Sequence, residues 1–303
     1  MKYVYSERYS VDFHGHVFPV HKYRLIYERL KKLGILNDSN VCEPEMPTRE
    51  DLLLVLTPEY LEDLSNLRWT PATTRSEMAL TPEIVEFSKL TVGGTTLACR
   101  KALEFGIGFH IGGGFHHAFT DHAEGFCYIN DIAAAIRKLQ SDGLAKKFAV
   151  IDCDLHQGNG TAHIFLNDPD VFTFSIHQEH LYPLKEQSDV DIGLDDFTGD
   201  QEYLEQLRLH VPRIIRNQGT ELLVYVAGAD PYKGDRLGTL QLTRRGLRER
   251  DRIVIQCARE QDISVAVVLA GGYAAETMDT VEIHVNTCLA SEEIEGKPET
   301  RAG

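Results

Sequence analysis

Paired cysteines, long apolar runs and an excess of basic charge are all missing from this chain. Its six cysteines (Cys42, Cys99, Cys127, Cys153, Cys257 and Cys288) form no C-x-x-C pair. They read as small core thiols of a reducing compartment, the cytoplasm, rather than a disulfide frame. No apolar run reaches the length of a membrane span, and the opening "MKYVYSERYS" lacks the apolar core of a signal peptide. Lys and Arg total 31 against 46 Asp and Glu, a net charge of −15. That balance argues against a nucleic-acid backbone as partner; it suits solubility or a cationic substrate such as a lysine-rich peptide or a polyamine. Repeats and low-complexity blocks are absent too. The sequence therefore predicts one domain over residues 1–290 and a polar, fraying tail over 291–303.

What is present is an alternation. The short β-branched runs "KYVY", "GIGFHI", "KFAVIDCD", "VFTFSI", "ELLVYVAG" and "SVAVVLAG" read as buried strands. Between them lie helical patterns. "YRLIYERLKKLG" carries Leu25, Ile26, Leu30 and Leu33 on one face, and "INDIAAAIRKLQSDG" carries Ile132, Ala135, Ile136 and Leu139. "YLEQLRLHVPRIIRNQG" and "TRRGLRERDRIVIQCARE" complete the set. This order predicts an α/β fold: a central, mostly parallel sheet in a three-layer α/β/α domain. Ligands of such sheets bind beyond the carboxyl ends of the strands. The polar residues of "HIGGGFHH", "VIDCDLH", "SIHQEH", "VAGADPY" and "LAGGY" collect at those ends.

The densest of these is "IDCDLHQGNG". If the strand persists, Asp152, Asp154 and His156 alternate onto one face, where carboxylates and an imidazole make a partial shell for Zn²⁺ or Fe²⁺. Isolated D-x-H sequences more often cap a helix; the second aspartate and the glycines favour the metal. A catalytic zinc needs a third protein ligand, and Asp230 at the end of "ELLVYVAGAD" supplies a candidate, while Asp235 reads as a structural turn residue. The adjacent His116 and His117 could move protons near neutral pH. Tyr273, after Gly271 and Gly272, could donate to an oxyanion.

Together these residues resemble the histone deacetylase family, of the arginase–deacetylase fold. The specific pieces are "GGGFHHAFTDHAEGFCYINDIA", "VIDCDLHQGNGTA", "AGADPYKGDRLGTLQLT" and "LAGGY". The wording of "HQGNG" and "FPVHKYRLI" is most similar to the class IV branch and its bacterial relatives. The resemblance implies zinc ligands Asp154, His156 and Asp230, tandem active-site histidines His116 and His117, and Tyr273 on the polarised carbonyl. It implies that Asp152 orients His116 and Asn159 orients His117. Phe115, Gly125, Phe126, Gly271 and Gly272 would line an acyl-lysine tunnel. A monovalent cation, K⁺, would sit on Asp152, Asp154, His156, Ser175 and the Ile176 carbonyl.

One departure is Asn159, where many members carry aspartate; an amide stabilises an imidazolium less, so His117 should hold a proton less readily. A second is "RSEMALTPEIVEF", which carries no clear counterpart of a rim aspartate that clasps the substrate backbone in several relatives. The expected activity is zinc-dependent removal of an acyl group, acetyl or longer, from lysines of proteins or peptides by a monomer or homodimer. The alternatives are an acetylpolyamine amidohydrolase acting on a small acylated amine and a non-catalytic acyl-lysine binder. A two-manganese ureohydrolase is disfavoured, because Gly228 stands where its second aspartate would be.

Overall fold

Eight strands build one sheet in the order β2-β1-β3-β8-β7-β4-β5-β6, and every pairing is parallel. They are β1 (Lys2–Val4), β2 (Val41–Cys42), β3 (Ile107–His110), β4 (Phe148–Asp152), β5 (Val171–Gln178), β6 (Val190–Leu194), β7 (Leu222–Val226) and β8 (Ser264–Val268). The structure is a computed structural model and describes residues 1–13, 15–217 and 219–296. The tail over 297–303 lies outside the described residues.

The helices are α1 (Lys22–Lys32), α2 (Arg49–Leu52), α3 (Pro58–Ser65), α4 (Pro71–Thr74), α5 (Pro82–Phe105), α6 (Asp131–Ser141), α7 (Asn159–Phe165), α8 (Asp200–Asn217), α9 (Arg244–Arg259) and α10 (Thr277–Glu295). Contacts chain α5, α6 and α7 into one group and α1, α10, α9 and α8 into another. Both groups touch β3, β7 and β8, so they cover opposite faces of the sheet. That is why β3, β4 and β7 are buried at every position and read as continuous apolar runs.

All six anticipated strands are present. The two that the sequence did not announce are the edges. β2 is two half-buried residues, and β6 alternates exposure because one face has less cover. α10 also runs past the boundary expected at residue 291: Ser291 is buried and its hydroxyl donates to the Thr287 carbonyl, 2.9 Å away. A polar residue with an internal partner continues a helix at little cost.

The sheet order explains how distant segments meet. β3, β8, β7, β4 and β5 are consecutive neighbours, so the polar strand ends of the sequence open side by side at one edge of the parallel sheet.

Candidate active site

β4 does not persist to His156. It stops at Asp152, and residues 153–158 bend away, so strand alternation does not align Asp152, Asp154 and His156 as expected. Turn hydrogen bonds replace it. Asp154 N donates to Asp152 Oδ1 and His156 N to Asp154 Oδ1, both at 3.0 Å. Carboxylates that accept their own backbone two residues on impose this bend. The bend divides the three residues: the other oxygen of Asp152 faces His116, while Asp154 and His156 turn toward Asp230.

One donor atom from each of Asp154, His156 and Asp230 lies within 4.8 Å of the others, and all three residues are buried. Leu155 N donates to Asp230 Oδ1 (3.0 Å) and Gly271 N to Asp154 Oδ2 (2.9 Å), which ties the loops after β4, β7 and β8 together. Asp230 Oδ2 is buried without a hydrogen-bond partner. A buried acceptor left in that state costs about 1–3 kcal/mol, more when charged. His156 Nδ1 stands 3.3 Å from Asp154 Oδ1 and 3.5 Å from Asp230 Oδ2, between the two carboxylates. A Cβ at Gly271 would come within 2.0 Å of Asp230 Oδ2 and 2.7 Å of Asp154 Oδ2, so only glycine leaves that space open. An orphaned oxygen, two convergent carboxylates and an imidazole fit a divalent cation of the zinc type.

The titration of the cluster expresses the same need for positive charge. Burial opposes a charge on His156, but Asp154 and Asp230 outweigh it and raise the imidazole to about 10. Burial likewise opposes ionisation of Asp154, yet His116 and His156 hold it well below the carboxylate range. Burial and the Asp154 charge raise Asp230. Two carboxylates this close ionise together only when a cation lies between them.

His116 and His117 follow Gly112–Gly114 on the loop after β3, with ring centroids 4.1 Å apart. His116 Nδ1 donates to Asp152 Oδ2 at 2.7 Å, and its Nε2 is 3.8 Å from Asp154 Oδ1. His117 Nδ1 lies 2.8 Å from Asn159 Oδ1. Tyr273 is fixed from behind: its N–H donates to Asp235 Oδ2 (2.6 Å) and its carbonyl accepts from Arg236 Nε (3.1 Å). Burial, then the Asp230 and Asp154 charges, push the Tyr273 phenol well above its ordinary value, which keeps it a donor. Asp152 and Ser175 are register partners on β4 and β5, and the Ser175 hydroxyl sits 2.9 Å from His177 Nδ1.

A narrow cavity leads to these groups, lined by Phe115, Gly125, Phe126 and Gly271 with His116, His117, Asp154, His156 and Tyr273. Gly272 is not part of that lining. Its φ is +140° and a Cβ there would meet Thr280 and Ala229, so it faces inward packing, not the tunnel. Phe126 is aimed by a tight turn in which Glu124 and Cys127 exchange backbone hydrogen bonds (3.0 and 2.9 Å), with φ +50° at Gly125 and +65° at Phe126. A positive φ at phenylalanine stores roughly 1–3 kcal/mol, a strain concentrated at working sites.

This constellation, two carboxylates and an imidazole beneath paired histidines and a tyrosine, can be compared with known proteins. The histone deacetylase domain matches residues 16–288. The chain belongs to the histone deacetylase family. Within that family it is 40% identical, over 89% of its length and 90% of the relative's, to an uncharacterized protein of Picosynechococcus sp.. It is 30% identical to the acetoin utilization protein AcuC of Bacillus subtilis, over 89% of this chain and 76% of that protein. Histone deacetylase 2 of Arabidopsis thaliana is 29% identical, over 98% and 80%. Two crystal structures share the fold at 23% identity. One is of an HDAC homolog complexed with SAHA (TM-score 0.83, covering 98% of this chain and 84% of that one); the other is of an HDAC homolog from Aquifex aeolicus (0.81, 96% and 83%). As a member of the histone deacetylase family the chain is a hydrolase of the deacetylase type. Among its described residues no helix is long and apolar enough to cross a membrane.

Three residues of this histone deacetylase site were not legible in the sequence. Phe18 joins the cavity wall and packs against Phe115 and Tyr273, with centroids 5.8 and 6.0 Å apart. Tyr182 sets its ring beside His117 and His156, at 5.5 and 6.3 Å. Arg250 of α9 is fully buried and donates to the carbonyls of Gly228 (2.5 Å) and Cys153 (3.2 Å), bracing the two loops that carry Asp230 and Asp154. Its charge is matched by Asp251 at 2.8 Å. The only sequence signal was a charged "RERDR" on an amphipathic helix, a pattern that is usually a solvated face.

Proposed function

We propose that the protein is a zinc-dependent amidohydrolase that removes an acyl group, acetyl or longer, from lysine side chains of proteins or peptides. The observation that carries the reading is the convergence of Asp154, His156 and Asp230, with one orphaned carboxylate oxygen, at the base of a narrow aromatic cavity. Those three residues would hold Zn²⁺, or Fe²⁺ in its place. Such an ion supplies Lewis acidity toward the amide carbonyl and acidifies water to a pKa of about 7.

The remaining chemistry belongs to the chain. Phe18, Phe115 and Phe126 offer apolar walls to the methylenes of a lysine and exclude water from the amide. His117 is held nearly neutral: burial, then the neighbouring His116 and His156, lower its proton affinity well below the usual value, so its Nε2 can take a proton. His116 differs. Burial opposes its charge, but Asp152 and Asp154 raise it to about 9, so it stays cationic near developing negative charge. The Tyr273 hydroxyl donates to the oxyanion, and His117 returns its proton to the leaving amine. A structural K⁺ on Asp152, Asp154, His156, Ser175 and the Ile176 carbonyl belongs to the same proposal, as does a cytoplasmic setting for the domain.

The deciding experiment measures zinc per chain by elemental analysis and turnover on acetyl-lysine, longer acyl-lysine and acetylpolyamine substrates, with and without a chelator. One zinc per chain, and lysine turnover abolished by the chelator, support the reading. Turnover confined to acetylpolyamines would move the substrate, and substrate binding without turnover in zinc-loaded protein would turn the site into a binder.

A further inference from the structure

Glu124 is buried beside the site, and its carboxylate meets the residue behind His117 rather than the ring itself. Its Oε1 accepts from Asn159 Nδ2 at 2.8 Å, and its Oε2 accepts from Arg75 Nη2 at 2.7 Å. His122 Nε2 lies 3.6 Å from the same Oε2, and the Glu124 charge also bears on the Tyr182 phenol. A carboxylate only accepts, so it dictates which end of the Asn159 amide faces it: the NH₂. The amide carbonyl must then face His117 Nδ1, at 2.8 Å. A carbonyl also only accepts, so His117 carries its hydrogen on Nδ1 and presents a bare Nε2 to the cavity. With the amide reversed, the NH₂ would donate to Nδ1, the hydrogen would move to Nε2, and the ring could not accept a proton there.

We propose that Glu124 is a positioning residue for the reaction above, acting through Asn159 to fix the tautomer of His117. The inference rests on the proposed role of His117 as base. The requirement is specific to a carboxylate. Two donors, Asn159 and Arg75, converge on its two oxygens, and an amide at position 124 would turn its own NH₂ toward one of them. The chain thus distributes across two residues what a single aspartate at position 159 would do: an amide touches the imidazole and the charge sits one hydrogen bond further out. The turn that aims Phe126 also begins at Glu124, so the wall of the cavity and the orientation of the base share one anchor.

The test is an exchange. Asn159→Asp alone sets a carboxylate oxygen against Glu124 Oε1 where the amide NH₂ now lies at 2.8 Å. We expect kcat to fall about tenfold or more with KM little changed, as for a misheld general base. The double variant Asn159→Asp/Glu124→Gln reverses the polarity: the new amide donates to the new carboxylate and its carbonyl accepts from Arg75. Turnover should return to within about threefold of the parent, a non-additivity that simple structural damage does not produce. Independently, ¹⁵N histidine NMR of the metal-free protein, with His117 assigned by its loss in His117→Ala, should report the Nδ1–H form in the parent and a mixture in Glu124→Ala. Additive losses in the double variant, or an unchanged tautomer in Glu124→Ala, would overturn the assignment. If Asn159→Asp does not fold, the Glu124→Ala tautomer decides alone. Absence of turnover in the parent would count against the proposed reaction, whereas the NMR readout judges Glu124 without it.

Discussion

His116 is backed by a carboxylate and His117 by an amide, and the two environments diverge from there. Both rings are buried, both hang from the same loop, and each is held through Nδ1 at nearly the same distance, 2.7 and 2.8 Å. Yet His116 is pushed up to about 9 and His117 well below the ordinary value. Burial alone lowers both. The difference comes from Asp152 and Asp154, whose charges reach His116, while His117 meets the positive His116 and His156. Neighbouring groups of the same type thereby divide the labour of acid–base chemistry by surroundings, not by identity.

That contrast can be broken in graded ways. The largest loss should follow His117→Ala, which removes the neutral ring: kcat should fall about 10²- to 10⁴-fold in a steady-state assay on acetyl-lysine peptide. Tyr273→Phe removes a donor that serves both histidines' chemistry; a fall of about 10²- to 10³-fold with unchanged thermal unfolding is expected. His116→Ala should cost less, on the order of tenfold to a hundredfold, because an electrostatic neighbour is lost and the proton acceptor stays. An equal or reversed ranking of the two alanine variants would invert the comparison. The smallest effect is on pH. His117 gains a proton only below its usual pKa, which sets the acid limb of kcat/KM under about 6.5. His116 keeps its proton up to about 9 and loses it above, which gives the alkaline limb. Asp152→Asn withdraws the charge that holds this proton, so the alkaline limb should move to lower pH while the acid limb stays. A pH–rate profile in which the acid limb moves instead would assign the roles the other way.

Much of this site was visible before folding was considered. "GGGFHH" marked the paired histidines, "IDCDLH" and "VAGAD" the metal ligands, and "LAGGY" the tyrosine, because each ends an apolar run that must be a buried strand. The common face that the spacing of "IDCDLH" predicts does not form, because β4 ends at Asp152. Strand alternation predicted one common face, whereas the carboxylates' own hydrogen bonds to the backbone bend the chain after Asp152 and split the residues between two tasks. Tyr182, Phe18 and Glu124 stayed hidden for another reason. They sit in loops whose local sequence has no periodicity, and their relevance exists only through partners 35 to 255 positions away in the chain: Tyr182 and Phe18 against His117 and Tyr273, Glu124 against Arg75 and Asn159. Phe18 and Tyr273 are 255 positions apart, and Glu124 and Asn159 are 35 apart.

By itself the sequence determined the six inner strands, the helices α1, α6, α8 and α9 and the residue types that gather at the strand ends, since hydrophobic period and local turn chemistry are properties of neighbouring residues; the edge strands and the helices α5 and α10 it did not announce. Only the tertiary structure decided which of those residues meet. The order of β3, β8, β7, β4 and β5 in the sheet brings Asp154 and Asp230 onto one imidazole, and the packing around Asn159 decides which end of an amide faces His117. Those outcomes depend on long-range contacts and on the low dielectric they create, in which one carboxylate more or less beside a ring settles whether it carries a proton.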